Sequence, residues 1–128
     1  MPARLDHLIL MVNDLPASLE FYTRVLGFED GGERPPFRVV RLGPDFVLQL
    51  APWRTKGGEH LAFAMSHDEF EATFARVRAA GVPYGDAFDQ ATNMRGPGVA
   101  DGARGATTSL YLFDPSKHLI EIAHYDRV

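Results

Sequence analysis

Two histidines and one glutamate stand inside runs that are otherwise hydrophobic. His7 opens His-Leu-Ile-Leu-Met, His60 opens His-Leu-Ala-Phe-Ala, and Glu121 lies between Ile120 and Ile122. Burying a lone carboxylate costs several kcal/mol unless it is paired or bound to a metal. Two neutral imidazoles with one carboxylate make the facial set that holds Fe(II), Mn(II) and similar divalent ions while leaving positions open for substrate or water. A single strand histidine is more often a hydrogen-bonded structural residue than a ligand, so the case rests on joint placement.

That placement comes from the strands. Side chains alternate between the two faces of a strand, so each apolar run divides into two columns. In 5–12, His7 shares a column with Leu5, Ile9 and Met11; in 46–51, Gln49 lies with Val47 and Ala51, opposite Phe46, Leu48 and Leu50. His60 lies with Ala62 and Ala64 in 59–65, and Glu121 with Leu119 and Ala123 in 118–124. Small neighbours beside a polar group leave a concave space, which predicts a pocket lined by His7, Gln49, His60 and Glu121. Tyr111 alternates with Ser109 and Phe113 and can direct its hydroxyl into the same pocket, although a plain core tyrosine fits the pattern equally well. His67, His118 and His124 read as structural.

The elements that carry these residues repeat. After the strand at 5–12, Leu15, Leu19, Tyr22 and Leu26 follow at helical spacing, with Asn13 or Asp14 as a cap, Pro16 in the first turn and Gly27 as the stop. Strands at 37–42 and 46–51 follow, separated by Gly43-Pro44-Asp45. The order then restarts: a strand at 59–65, a helix marked by Phe70, Phe74 and Val77 with Ser66 and Glu69 at capping-box spacing, and strands near 82–88, 107–113 and 118–124. Superimposing His7 on His60 also pairs Phe21 with Phe74, an offset of 53 residues, and gives two copies of a βαβββ unit. The modules are expected at about 1–54 and 55–128. The Gly-rich segment 93–106 reads as a mobile flap, with Arg95 and Arg104 as contacts for substrate or an anion.

Composition narrows the class. A chain of 128 residues with 45% hydrophobic residues is one compact globular domain. A net charge of −4 offers no basic excess for a phosphate backbone, so nucleic acid is not an expected partner. No cysteine is present, which excludes thiolate zinc sites and cysteine nucleophiles and leaves N and O ligands for any metal. The apolar run near the N-terminus is too short for a membrane span, and a soluble cytoplasmic protein without membrane contact is expected. No P-loop, G-x-S-x-G elbow or dinucleotide fingerprint occurs.

The stretches LDHLILMVNDLPASLEFYTRVLGFE, EHLAFAM and SLYLFDPSKHLIEIAHY together resemble the vicinal oxygen chelate (glyoxalase/bleomycin resistance/dioxygenase) superfamily over nearly the whole chain. The resemblance implies an α+β fold in which two βαβββ modules form a cupped mixed sheet with helices on the outer face. It implies His7, His60 and Glu121 as metal ligands, with Gln49 where glyoxalase I-like members carry a fourth ligand. The ion would be divalent: iron, manganese, nickel, cobalt or zinc. It further implies a homodimer with sites built from modules of both chains.

The leading expectation is a metal-dependent enzyme that chelates a small oxygenated substrate, either ring-cleaving (extradiol) dioxygenase-like or glyoxalase-like. Tyr111 and Glu121 would carry the catalytic roles, with Trp53, Phe63, Phe88, Arg95, Arg104 and Ser109 lining the substrate space. The competing expectation is a metal-free protein that sequesters a small molecule, as bleomycin-resistance members do.

Overall fold

The computed structural model describes residues 2–125. Strand β1 (His7–Met11) leads into helix α1 (Leu15–Glu20), which widens into a π turn over Phe21–Val25. The first module closes with β2 (Glu29–Arg34), β3 (Phe37–Arg41) and β4 (Val47–Ala51). The second module runs β5 (His60–Ala64), α2 (His67–Ala79), β6 (Gly98–Gly102), β7 (Gly105–Phe113) and β8 (Leu119–His124).

Local chemistry sets these boundaries. Asp14 caps α1 by accepting the Ala17 N–H at 3.0 Å, and Ser66 caps α2 by accepting the Glu69 N–H at 3.2 Å. In α2, Asp68 and Glu69 occupy the first turn and Arg76 and Arg78 the last, so both charge pairs complement the helix dipole. Arg76 reaches across to the end of the first helix and donates to the Val25 and Leu26 carbonyls at 2.9 and 3.2 Å. Gly27, at φ +85°, leaves room for that guanidinium, which an added Cβ would strike.

The strands form two four-stranded mixed sheets with the same order, β1-β4-β3-β2 and β5-β8-β7-β6. In each, the first strand pairs in parallel with the last and the remaining pairings are antiparallel. The α+β, doubled βαβββ architecture is therefore present. Leu10, Leu48 and Leu50 from one sheet meet Phe63, Leu110, Ile120 and Ile122 from the other, with Tyr22, Phe70, Phe74 and Val77 of the helical segments in the same core. Both sheets thus turn their bulky columns inward and their polar columns away from the shared core.

One strand escapes the sequence reading and two local expectations are corrected. Strand β2, Glu-Asp-Gly-Gly-Glu-Arg, has no apolar alternation; it exists because its backbone pairs with β3 and its acids meet Arg38 and Arg41. The segment 82–88 is not a strand: Gly85 makes one isolated bridge to Tyr111, while Val82 and Tyr84 pack on the core and supply the apolar signal. The segment 93–106 is not an irregular flap, because Gly98–Gly102 forms a ladder with β7. Glycines hide its alternation; at Gly102 a Cβ would lie 2.5 Å from the Tyr125 hydroxyl, so the side chain is excluded by close approach.

Buried polar groups join the modules. Asp114, in the β7–β8 turn, accepts the Tyr22 hydroxyl at 2.7 Å through Oδ2, and the Ser116 and His118 N–H groups at 2.8 and 2.9 Å through Oδ1. The His118 Nδ1 accepts the Glu59 N–H at 3.2 Å, which assigns the ring proton to Nε2, donated to the Met11 carbonyl at 2.8 Å. Asn13 adds its backbone N–H to the Ser116 hydroxyl at 3.0 Å and pairs twice with the Thr55 backbone. Burial, reinforced by the Asp114 charge, raises the Tyr22 phenol well above its ordinary value. A Tyr22→Phe variant leaves Asp114 one donor short and should lose about 1–3 kcal/mol in chemical denaturation at neutral pH. Because the folded phenol is raised, its contribution is complete below about pH 10, the unfolded tyrosine value, and fades above it. The gap between wild type and variant should therefore narrow in alkaline melts; a constant gap would contradict the assignment.

Candidate metal centre

The two modules place their polar residues at matching register positions. His7 opens β1 opposite Val47, and Gln49 stands two residues further along β4, opposite Ile9. His60 opens β5 opposite Leu119, and Glu121 stands two residues further along β8, opposite Ala62. Each histidine is thus a diagonal neighbour of the amide or carboxylate on the strand beside it.

In the second module the pair is in contact. The His60 Nε2 lies 3.1 Å from Glu121 Oε1, and Ser109 donates its hydroxyl to Glu121 Oε2 at 2.8 Å. Two ligand atoms about 2.1 Å from one ion and at right angles stand about 3 Å apart. The donor types and the His60–Glu121 spacing therefore fit two adjacent ligands of a divalent cation. Glu121 is buried while the His60 side chain is half exposed, so the pair opens to one side. In the first module the His7 Nδ1 faces Asp6 Oδ2 at 2.8 Å, which leaves Nε2 free in the manner of a carboxylate-oriented ligand. That hydrogen bond is the largest influence lowering the Asp6 carboxyl, and Arg4 adds to it.

One chain does not join the halves. Both lie on faces turned away from the common core, and among the described residues no group of three or more His, Asp or Glu stands close enough to hold a metal ion. Two cavities flank His60 and Glu121. One of about 380 Å³ is walled by Thr107, Asp101, Arg104 and Tyr125; another of about 500 Å³ by Tyr111, Phe88, Val99 and Asp86. The Tyr111 ring lies 6.3 Å from the His60 ring. Burial first, and then the adjacent Glu121 charge, push its phenol up to about 12.

The expected substrate-lining residues divide. Phe88 and Arg104 line the His60–Glu121 cavities, and the Arg104 guanidinium lies 4.7 Å from the centre of the Tyr125 ring. Trp53 is half exposed against Phe37 on the first module, at 5.5 Å between rings. Phe63 belongs to the inward column, is buried and packs on Phe28 at 5.0 Å; it lines a separate cavity of about 670 Å³ with Phe28, Leu8 and Arg41, and neither of the two beside His60 and Glu121. Ser109 is corrected, because it is fully buried with its proton spent on Glu121. Arg95 is exposed and lines neither cavity. Thr107, missed from the sequence, contacts the Ser109 hydroxyl at 2.7 Å. The hydroxyls at 107, 109 and 111, spaced by two along one strand, are the signal that could have found it.

Comparison with known proteins agrees with the fold. The chain is 28% identical over 131 residues to virulence protein STM3117 of Salmonella typhimurium, covering 95% of this chain and 84% of that one. It is 30% identical over 134 residues to biphenyl-2,3-diol 1,2-dioxygenase 3 of Rhodococcus globerulus, covering 93% of this chain and 62% of the dioxygenase. The solved structure of oxidase ChaP-H2 superposes with a TM-score of 0.81 at 28% identity, over 98% of this chain and 96% of that one. The family model for the Glyoxalase/Bleomycin resistance protein/Dioxygenase superfamily matches residues 4–122, and the chain belongs to that superfamily.

Proposed function

We propose that the protein is a homodimeric, divalent-metal-dependent enzyme acting on a small oxygenated molecule. Each site takes His7 and Gln49 from one subunit and His60 and Glu121 from the partner subunit. The observation that carries this reading is the equal register of the two pairs, on sheet faces that a single chain holds apart. Strands β1 and β5 each have one free edge, since each pairs with a single neighbour. Leu8, Ile9 and Met11 of β1 are 37%, 40% and 43% exposed, an apolar strip that a second copy would cover. Among the described residues no helix is long and apolar enough to cross a membrane, and a cytoplasmic location fits a chain without cysteine.

The substrate class that fits best is an aromatic compound with two adjacent hydroxyl groups, opened oxidatively with dioxygen as co-substrate. Phe88, Val99 and Tyr111 give the cavity beside His60 an apolar and aromatic wall, and the dioxygenase relative supports the same class. A bound divalent ion would polarise the substrate oxygens, with His7, His60, Glu121 and the Gln49 amide as its holders. Tyr111 remains a protonated phenol at neutral pH, so it serves as a hydrogen-bond donor to developing negative charge and not as a base. Gln49 cannot accept a proton productively, which leaves Glu121 as the carboxylate of the site. Trp53 would wall the first-module side, and Arg104, at the rim, would attract an anionic substituent.

Subunit complementation tests the shared site. His7→Ala and His60→Ala proteins should each lose bound metal. Mixed in equal amounts and refolded together, they should regain about a quarter of the wild-type metal per chain, because half the dimers are mixed and each mixed dimer has one intact site of two. No recovery, with both variants dimeric, would overturn the shared site; chelator-insensitive binding of aromatic ligands by a metal-free wild type would favour sequestration. For Tyr111, ultraviolet titration should show one phenol in wild type ionising near pH 12 that is absent from Tyr111→Phe. A missing phenol near pH 10 would contradict its burial beside Glu121.

A further inference from the structure

The metal-site reading leaves one asymmetry unexplained: the modules match in register, yet one carries a carboxylate at position 121 and the other an amide at position 49. The strand beside each differs as well. In the second module β7 sets Tyr111 opposite Glu121 and Ser109 opposite Ala123. In the first module β3 sets Val39 opposite Gln49, and the ladder continued by one residue brings Phe37 to Ala51. Hydroxyl groups therefore flank only the carboxylate, while Val39 stands opposite the neutral amide, with Arg41 and Phe37, the latter edge-on to Trp53, on its two diagonals.

The protons in the second module can be counted. Ser109 has one hydroxyl proton, and its 2.8 Å contact to Glu121 Oε2 uses it. Its lone pair must then accept from Thr107, at 2.7 Å, which fixes the Thr107 proton toward Ser109 and away from the Ala100 carbonyl at 3.4 Å. Both hydroxyls are almost fully buried, at 0% and 4% exposure, so water does not compete for them. The result is a one-way chain, Thr107 to Ser109 to Glu121 Oε2. It occupies one carboxylate oxygen and leaves Oε1, 3.1 Å from the His60 Nε2, as the oxygen facing the open side.

We infer that Thr107 and Ser109 are positioning residues that make Glu121 a one-oxygen ligand, an arrangement the first module, with Val39 opposite Gln49, does not repeat. The inference depends on the metal-site reading, and the test separates the two.

Metal-stripped full-length protein is titrated with cobalt(II) alone, followed by calorimetry and by the visible absorption of the ion. Ser109→Ala should weaken cobalt binding by about 10- to 100-fold, the usual cost of losing an outer hydrogen bond to a ligand. Thr107→Val, which keeps the shape and removes the hydroxyl, should weaken it in the same direction but less, and Thr107→Ser should restore it. In the infrared spectrum of the metal-free proteins, a buried carboxylate stretch should shift in Ser109→Ala and Thr107→Val but not in Thr107→Ser. If wild type binds no cobalt, the metal-site reading fails. If wild type binds cobalt and folded Ser109→Ala binds it equally well, the positioning role fails while the metal site stands. Should Ser109→Ala not fold, the Thr107 pair decides: equal affinities for Val and Ser overturn the inference.

Discussion

The buried carboxylate of Asp114 is the constraint on which the rest of the molecule depends. Each oxygen is satisfied by hydrogen bonds from the protein, one by a phenol from the first module and the other by two backbone N–H groups of its own turn. A desolvated charge tolerates few alternative arrangements, because losing a donor exposes the cost of burying it. The turn that closes β7 and β8 is consequently tied to the first helical segment, and His118 and Ser116 in the same turn hold Met11 and Asn13 at the end of β1. The strand carrying His7 and the strand carrying Glu121 are thus referred to one buried point, though the two side chains stand on separate sheets.

This arrangement explains why the core is shared while the polar faces are separate. Two βαβββ units in one chain bury their bulky columns against each other, which turns both histidine columns outward. Each sheet is bounded by two edge strands, β1 and β2 in one and β5 and β6 in the other. The modules differ in what stands beside the polar pair: hydroxyls and a carboxylate on one side, Val39, Phe37 and Arg41 with an amide on the other.

Much of this is legible in the amino-acid sequence. His60 and Glu121 stand out by their joint placement in two apolar runs, and the ladder sets them diagonally in contact. The repeat is legible in element order, and the helix caps in Asp14 and Ser66. The features that escape have physical reasons. Alternation divides a strand into faces without saying which one meets the core, so Phe63, which packs inward and lines a different cavity, reads as a neighbour of His60 and Glu121. Edge strands stabilised by backbone pairing and surface ion pairs, such as β2, lack the hydrophobic signal on which periodicity depends. Glycine carries no side chain to alternate, which disguises β6 as loose chain. The relative placement of the two half-sites depends on tertiary packing and lies beyond any local pattern.

The π turn at Phe21–Val25 fixes the length of its segment to the residue. Leu26 reaches back five positions to the Phe21 carbonyl, so this turn holds one residue more than an ordinary α turn. The extra residue rotates the start of the segment by roughly 100° relative to its end, and with that phase Phe21, Tyr22 and Val25 are all buried. Deleting any one residue here would yield a more regular helix and a worse protein, since the phenol would swing off its acceptor. Sequence drift at this point should therefore proceed by exchange of side chains and not by change of length.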